Sequence, residues 1–335
     1  MSKRVILFGA TGLCGLYTSI YLKNNGYDVI AVGRRVDKNS FFKKNNIEYF
    51  DCDIKNKNDI LKLPTENIFA IINFAGAMPA HMKGYDPYEY VNSIIIGQLN
   101  LLEFSIKNKV ERFVFSQSIA DVGYLFGSQV PISVDSEMKF PLNTDHSVYS
   151  ISKNTAVYLM QHYQAAYGLK CFALRLPTIY AYHPNKFYYV DGVKKWLGYR
   201  LLIDKAMKGD EIEIWGNPNN KKELVYVKDF VKIVGGALST TKVDGGIYNV
   251  ANGFATSFEE QTKIMCDTFN PYNKKSILIY KPEMPSSPQF ILDISRTKED
   301  LNYIPEYDVK KYFEDFKKEY NEQRFVDIWG SESDY

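Results

Sequence analysis

Cysteine is scarce in this chain, and the few that occur are far apart. No two form a Cys-x-x-Cys motif, and none stands near a histidine at the spacing of a zinc ligand set. The sequence therefore predicts neither a disulfide framework nor a metal site. The four cysteines among the 335 residues are Cys14, Cys52, Cys171 and Cys266.

Long apolar runs and an excess of one charge are also absent. No uninterrupted apolar stretch approaches the roughly 20 residues that a membrane-spanning helix needs. The first predicted strand begins close to Lys3, which leaves no room for a signal peptide. The formal net charge is only +2, so no strong basic field favours nucleic acid. We expect a cytoplasmic protein that binds neither membrane nor nucleic acid.

What the chain does have is a glycine turn near its start. A short apolar run, Val5 to Phe8, leads into glycines spaced three apart, Gly9, Gly12 and Gly15, and then into a helical pattern. Glycine lets the backbone bend sharply and approach a pyrophosphate closely. The following helix directs its unpaired N–H groups at such an anion. The pattern predicts a dinucleotide-binding turn, with an ordinary glycine-rich turn as the alternative.

Strand-like and helical segments alternate through the first half of the chain. This alternation predicts a parallel sheet with helices on both faces, an α/β fold of the Rossmann-like, doubly wound kind. The predicted strands are 4–8, 28–33, 47–50, 69–74, 112–116 and 170–175, and the predicted helices are 13–25, 57–62, 88–108 and 147–167.

The pattern becomes less regular after about residue 176. It predicts helices at 194–208 and 229–239, and strands at 211–214, 224–227 and 248–250. We therefore divide the chain into two parts. Residues 1–176, with returns near 224–250, form the dinucleotide-binding domain, and residues 177–335 form a smaller, mainly substrate-binding lobe.

Tyr149 and Lys153 stand four residues apart on a predicted helix, so their side chains lie on one face. A neighbouring ammonium favours the ionised form of a phenol, whose ordinary pKa is near 10. Such a tyrosine can exchange a proton with an alcohol or a ketone. Ser118 ends a predicted strand at the edge where parallel sheets bind ligands, and can contact the same substrate oxygen. The alternatives are a solvated Tyr–Lys pair and a serine that only caps a turn.

In their order along the chain, these motifs resemble the extended short-chain dehydrogenase/reductase family, the NAD(P)-dependent nucleotide-sugar epimerases, dehydratases and reductases. The resemblance extends to about residue 305 and rests on the joint order and spacing of motifs that are individually weak. Besides the glycine turn, these are Cys52-Asp53-Ile54, Asn73-Phe74-Ala75-Gly76-Ala77, Tyr90-Val91-Asn92, Arg175-Leu176-Pro177-Thr178-Ile179-Tyr180, Tyr226-Val227-Lys228-Asp229 and Tyr248-Asn249-Val250-Ala251-Asn252-Gly253.

The resemblance implies a catalytic triad of Ser118, Tyr149 and Lys153. It also implies hydride transfer between a nicotinamide cofactor and a sugar carbon, with C4 of a nucleotide-linked hexose as the expected position. The residues expected to bind the cofactor are Gly9, Thr11, Gly12, Leu13, Cys14, Gly15, Arg34, Arg35, Asp53, Ile54, Phe74, Ala75, Gly76, Asn92, Tyr149, Lys153 and Pro177.

Two positions after Ser118 narrow the expected reaction. The 4,6-dehydratases of the family carry Asp-Glu there, whereas this chain has Ile119 and Ala120, which cannot transfer protons. Dehydration is therefore disfavoured, while 4-epimerisation and 4-keto reduction both remain open. Two further alternatives are reduction of a non-nucleotide carbonyl compound and a non-catalytic redox sensor that binds NADP.

The expected substrate site includes two lysines. Lys222 and Lys281 stand roughly where family members place arginines against the substrate diphosphate, and Thr178 replaces the usual asparagine beside it. Lysine keeps the charge but loses the bidentate fork of arginine. A nucleotide-diphosphate substrate is therefore expected, with exposed surface lysines as the alternative. The expected substrate-binding residues are Met78, His81, Ser118, Thr178, His183, Lys222 and Lys281.

The end of the second predicted strand bears on cofactor choice. NAD-specific enzymes often place an acid there against the ribose hydroxyl, but Gly33 is followed here by Arg34 and Arg35. Guanidinium groups bind a 2′-phosphate through charge-assisted hydrogen bonds. We therefore expect NADP rather than NAD. The alternative is a solvated arginine pair beside the adenine of NAD.

The resemblance also implies a homodimer, in which the helix of Tyr149 and the helix after Asn92 pair across a two-fold axis. The predicted helix 147–167 offers more apolar positions than one buried face needs, because it carries Val157, Tyr158, Met160 and Tyr163. The alternative is that these side chains only cover the sheet of a monomer.

Overall fold

The computed structural model describes residues 2–144, 146–190 and 192–335. In chain order its strands are β1 (Arg4–Phe8), β2 (Asp28–Gly33), β3 (Glu48–Asp51), β4 (Ile68–Asn73), β5 (Arg112–Ser118), β6 (Lys170–Leu176), β7 (Ile179–Tyr180), β8 (Phe187–Val190), β9 (Val193–Trp196), β10 (Ile212–Trp215), β11 (Lys221–Lys222), β12 (Val225–Tyr226), β13 (Gly245–Asn249), β14 (Thr256–Ser257) and β15 (Leu278–Lys281).

Seven of these strands form one parallel sheet among the described residues, in the order β13-β6-β5-β4-β1-β2-β3. Val5, Ile6 and Leu7 of β1 are all fully buried, as expected for a strand covered on both faces. The strand order reverses between β1 and β4, and open α/β sheets bind their ligands at such a reversal. The predicted Rossmann-like α/β fold is confirmed.

Helices cover both faces of the sheet. Among the described residues they are α1 (Leu13–Asn24), α2 (Phe41–Lys44), α3 (Lys57–Ile60), α4 (Pro87–Tyr90), α5 (Gly97–Lys107), α6 (Ser147–Tyr167), α7 (Gly198–Lys208), α8 (Val227–Ser239), α9 (Phe258–Phe269), α10 (Ser295–Leu301), α11 (Val309–Asn321) and α12 (Val326–Trp329). A π-helical segment, Val91–Ile96, joins α4 to α5. Leu16 of α1 and Phe230 of α8 belong to the apolar core on one face, and Leu101 of α5 and Val157 of α6 belong to the core on the other.

One predicted helix is wrong in its first part. The expected helix 194–208 begins only at Gly198, because Val193–Trp196 forms β9 and pairs antiparallel with β8. Phe187 and Trp196 are register partners whose ring centres lie 5.0 Å apart. Apolar spacing within one segment does not reveal such pairing with a neighbouring segment, and the aromatic contact stabilises the hairpin.

Candidate active site

The glycine turn between β1 and α1 has the geometry that a dinucleotide requires. Gly9 has a φ of +79°, and a Cβ there would lie 2.9 Å from the Ala75 amide nitrogen. A Cβ on Gly15 would lie 2.1 Å from the Gly9 carbonyl oxygen. Gly12 is exposed at the start of α1 and provides no side-chain cap. The first N–H groups of α1, including those of Leu13 and Cys14, are therefore placed to meet a pyrophosphate.

The end of β4 faces this turn. The Asn73 side chain accepts a hydrogen bond from the Ala75 amide at 3.0 Å, and the Ala77 amide donates to Ser93 Oγ at 2.9 Å. These bonds fix the loop through Phe74 and Gly76 beside the glycine turn. Asn92, which was expected to bind the cofactor, is exposed on the π-helical segment. The hydrogen bond from this segment to the loop is made by its neighbour Ser93. Pro177 is buried one residue beyond β6.

Charged side chains cluster beyond the end of β2. Lys55 Nζ lies 3.0 Å from one Glu89 oxygen and 3.6 Å from Asp53. The other Glu89 oxygen lies 3.5 Å from the Arg34 guanidinium. A carboxylate in this position would repel a 2′-phosphate placed against Arg34. No sequence pattern indicated Glu89, because α4 is far from β2 along the chain.

Two other expected cofactor residues near this cluster are held through their main chain. The Ile54 carbonyl accepts a hydrogen bond from Asn100 Nδ2 at 2.9 Å, and the Arg35 carbonyl accepts one from the Tyr49 hydroxyl. The loop that follows each strand is therefore fixed by a polar side chain.

The carboxyl end of β5 and the start of α6 bring the three expected catalytic side chains together. Ser118 Oγ accepts a hydrogen bond from the Ala120 amide at 3.2 Å, and the Ser118 side chain acts on the phenol of Tyr149, whose ionised form it favours. Lys153 Nζ lies 5.9 Å from the centre of the Tyr149 ring and donates to the Ser116 carbonyl at 2.6 Å. The spacing therefore reflects a real cluster rather than a solvated helix face.

Burial controls the titration of this cluster. It raises the pKa of Tyr149 to about 12, although the Ser118 side chain acts in the opposite direction. It lowers the pKa of Lys153 to about 7. The expectation that Lys153 lowers the pKa of Tyr149 is wrong for this structure, because loss of solvent dominates and the ammonium is directed at the Ser116 carbonyl. At neutral pH the phenol is therefore protonated, and Lys153 is divided between its two forms.

His183 is a neutral hydrogen-bonding group in this structure rather than an acid. Its Nδ1 accepts a hydrogen bond from the Asn185 amide at 2.9 Å, so the ring proton is assigned to Nε2. Burial, together with the charge of Arg200, lowers the pKa of His183 to about 3. A neutral imidazole can orient a substrate oxygen, but it cannot supply a proton at neutral pH.

Met78 and His81 lie in the loop after β4, and both are exposed. The hairpin of β8 and β9 packs on this loop, where a Cβ on Gly192 would lie 2.7 Å from the Lys83 carbonyl oxygen. Lys83 Nζ also lies 6.0 Å from the centre of the Tyr189 ring. The loop that was expected to contact substrate is thus bordered by an aromatic hairpin.

A cavity of about 450 Å³ lies in the second half of the chain. Tyr180, Trp215 and Lys222 are among its lining residues, and Lys222 Nζ is 6.0 Å from the centre of the Tyr180 ring. Of the other two residues expected at the diphosphate, neither Lys281 nor Thr178 lines this cavity in the part of the chain that the structure describes. Trp215 had no predicted role, although its strand was predicted.

Residues 5–251 match the family model described as the NAD dependent epimerase/dehydratase family. The chain belongs to this family. The resemblance to extended short-chain dehydrogenases/reductases is thereby confirmed, and the protein is an enzyme of that NAD-dependent type. A UDP-glucuronate 4-epimerase from Thermodesulfobacterium geofontis is 25% identical over 292 residues, which cover 86% of this chain and 83% of that relative.

Solved structures show the same fold. A UDP-N-acetylglucosamine 4-epimerase from Bacillus cereus aligns with a TM-score of 0.75 and 21% identity, over 98% of this chain and 100% of the other. A tyrosine-to-phenylalanine variant of UDP-glucuronic acid 4-epimerase from the same organism, solved with a UDP-sugar and NAD, has a TM-score of 0.72 and 18% identity, over 96% and 100% of the two chains. The expected preference for NADP finds no support in these comparisons.

In the part of the chain that the structure describes, no helix combines the length and apolarity that crossing a bilayer requires. Nor do the described residues include a cluster of three His, Cys, Asp or Glu side chains that could hold a metal ion.

Proposed function

We propose that the protein is a 4-epimerase of uridine-diphosphate-linked hexoses that uses NAD. The observation that carries this proposal is the convergence of Ser118, Tyr149 and Lys153 at the sheet edge that also holds the glycine turn. The names of the relatives, which are 4-epimerases of UDP-sugars, favour epimerisation over 4-keto reduction. The nicotinamide cofactor fits because the turn admits only glycine at Gly9 and Gly15.

Each side chain of the triad has a separate task in this reaction. In its ionised form, Tyr149 takes the proton of the sugar hydroxyl as the carbon is oxidised, and the phenol so formed returns that proton to the keto oxygen when the carbon is reduced. Ser118 holds that oxygen, and the Ala120 amide fixes the Ser118 side chain. Lys153, whose ammonium donates to the Ser116 carbonyl, would hold the nicotinamide ribose of the bound cofactor. When bound, the dinucleotide would supply the hydride acceptor and then the hydride donor.

The loop after Ser118 restricts the reaction to this exchange. Ile119 and Ala120 begin a short 3₁₀ helix and carry no group that moves a proton. Elimination of water from the keto sugar would need an acid and a base in this region. The keto sugar is therefore expected to turn its other face to the hydride donor, which inverts the hydroxyl.

The cavity at Trp215 is the proposed site of the nucleotide. It lies in the lobe that we propose begins at residue 177, and Lys222 offers a cation for the diphosphate while Trp215 and Tyr180 offer ring surfaces for the base. This assignment leaves Lys281 without a direct contact to the nucleotide.

The experiment that tests the function is incubation with UDP-glucose, UDP-galactose and UDP-glucuronate, without added cofactor, followed by chromatography for the C4 epimer. Steady consumption of NADPH with a 4-keto sugar, without isomer formation, would instead identify a reductase.

The ion pair between Glu89 and Arg34 predicts cofactor preference. We expect the protein to bind NADH more tightly than NADPH, because the carboxylate both engages the guanidinium and repels the 2′-phosphate. Replacing Glu89 with glutamine is expected to raise the affinity for NADPH about tenfold and to leave NADH binding nearly unchanged. Fluorescence titration with NADPH and with NADH measures the two affinities. Glu66→Gln, at an exposed position, is the control and should leave both affinities unchanged. A wild-type protein that prefers NADPH would restore the interpretation in which Arg34 and Arg35 bind the phosphate.

We also propose a homodimer that forms through α6. Fewer apolar side chains of this helix are available for the interface than the sequence predicted. Val157, Met160 and Tyr163 are buried against the sheet, so these three serve the core. Tyr158 is 58% exposed and Ile151 is 41% exposed, and they stand seven residues apart on one helix face.

Light scattering is expected to show a dimer for the wild type and a monomer for Tyr158→Glu, since a charge in an apolar interface is strongly unfavourable. Tyr272→Glu, at a fully exposed position, is the matched control and should remain dimeric. A monomeric wild type at micromolar concentration would exclude the dimer.

A further inference from the structure

The last residues of the chain contact the half of the molecule that holds the glycine turn. We call Phe325–Tyr335 the C-terminal segment. Its Trp329 donates a hydrogen bond from the indole Nε1 to the Thr11 carbonyl at 2.9 Å. Asn39, in the loop after β2, donates from its side chain to the Asp327 carbonyl at 2.7 Å. The segment therefore touches both loops that are expected to surround a dinucleotide.

The same segment contacts the other half of the molecule. The Trp329 ring centre lies 4.3 Å from that of His183. Glu332 forms ion pairs with Arg200 at 2.9 Å and with Lys186 at 3.2 Å, and Arg200 also donates to the His183 carbonyl. One short segment thus links the glycine turn to the expected substrate residue His183.

The Trp329 side chain is buried and packed between aromatic rings. It is 4% exposed, and its ring centre lies 5.1 Å from that of Phe325 and 6.3 Å from that of Tyr17 on α1. A buried indole N–H is costly to leave unpaired, so the bond to the Thr11 carbonyl is strongly specified.

The hydrogen bond from Trp329 fixes the peptide group between Thr11 and Gly12, which directly precedes α1. The carbonyl of Thr11 and the amide of Gly12 belong to one planar peptide unit. The Gly12 amide donates to the Gly9 carbonyl at 3.0 Å, while Trp329 binds the opposite side of the unit. With both sides bonded, the unit cannot rotate, and the N–H groups that follow it keep their direction.

We propose that Trp329 is a positioning residue for the cofactor. It holds the glycine turn in the conformation that binds the pyrophosphate, and its ring face fixes His183 in the substrate site. The C-terminal segment therefore retains the dinucleotide and aligns it with the substrate. The inference rests on the cofactor site proposed above.

The test separates the hydrogen bond from the ring contact. Trp329→Phe keeps an aromatic ring against His183 but removes the N–H donor. NADH release is measured by diluting the loaded protein into excess NAD and recording the loss of the fluorescence of bound NADH. We expect this release to be about fivefold faster in Trp329→Phe than in the wild type. The KM for the UDP-sugar should stay near the wild-type value. Trp329→Ala, which also removes the ring, should accelerate release further and raise that KM.

Tyr248→Phe is the control for cofactor release, because it likewise removes a hydrogen-bond donor from a buried aromatic ring, here one that donates to Asp300 at 3.1 Å and lies in neither proposed binding site. Its release rate should equal that of the wild type. A wild-type release rate in Trp329→Phe, or equal acceleration of release in Tyr248→Phe, would overturn the proposal. NADH release is measured without turnover. Absence of epimerase activity would therefore reject the proposed function, but it would not change what the release rates say about Trp329.

Discussion

Replacing Tyr149 with phenylalanine is expected to lower kcat by roughly 10² or more, the scale of losing a positioned acid–base group. The variant removes one oxygen, and the ring contact with Tyr90, at 5.8 Å between centres, can persist. The cofactor should still bind, because the substitution leaves the glycine turn and the loop after β4 unchanged. The measurement is the initial rate of isomer formation, with NADH binding determined on the same sample.

The matched control is Tyr167→Phe, at an exposed position near the end of the same helix. It is expected to retain wild-type turnover. Near-normal turnover in Tyr149→Phe would exclude Tyr149 as the group that exchanges the proton, whereas loss of NADH binding would show that the variant disturbs the site more widely.

Replacing Lys153 with methionine is expected to abolish most activity and to stabilise the fold at neutral pH. Burial lowers the pKa of Lys153 from 10.5 to about 7, so the folded protein disfavours the charged form. Below pH 7 both the folded and the unfolded chain carry the charge, and the folded state bears the full penalty. As pH rises from about 7 toward 10.5, the folded lysine is neutral while the unfolded one still holds its proton, so the free energy of unfolding increases. Above 10.5 the penalty is gone.

The variant lacks this titration, so the difference between variant and wild type is the informative quantity. At pH 6 we expect Lys153→Met to have a free energy of unfolding of the order of 4 kcal/mol above that of the wild type. The difference should shrink as pH rises to 9. Urea unfolding at pH 6, 7, 8 and 9 measures it, and Lys107→Met, at an exposed position on α5, is the control. A difference that does not change with pH would show that Lys153 keeps an ordinary pKa in the fold.

The parts of the site that were predicted are those whose determinants are close together in the sequence. The spacing of Gly9, Gly12 and Gly15 encodes the turn, because each glycine answers a local requirement of the backbone. The pair Tyr149 and Lys153 lies within one helical turn. Ser118 was predicted because strand ends of a parallel sheet share one edge.

The parts that were missed depend on contacts between distant segments. Glu89 reaches Arg34 across two separate loops, and Trp329 bonds to the glycine turn across 318 residues of sequence. The strand β9 has a local pattern that also suits a helix, and only its pairing with β8 decides between them. The raised pKa of Tyr149 likewise reflects burial by the whole fold, which no motif reveals.

The central claim is that a hydride leaves C4 of the sugar and returns to the same carbon on the opposite face, with Tyr149 carrying only the proton. The most direct measurement uses a UDP-hexose labelled with deuterium at C4, incubated with the protein in ordinary water without added cofactor. The account predicts the C4 epimer with its deuterium retained, as read by mass spectrometry and proton NMR. Formation of the epimer with the deuterium lost to solvent, or no epimer from any of the three UDP-sugars, would contradict it.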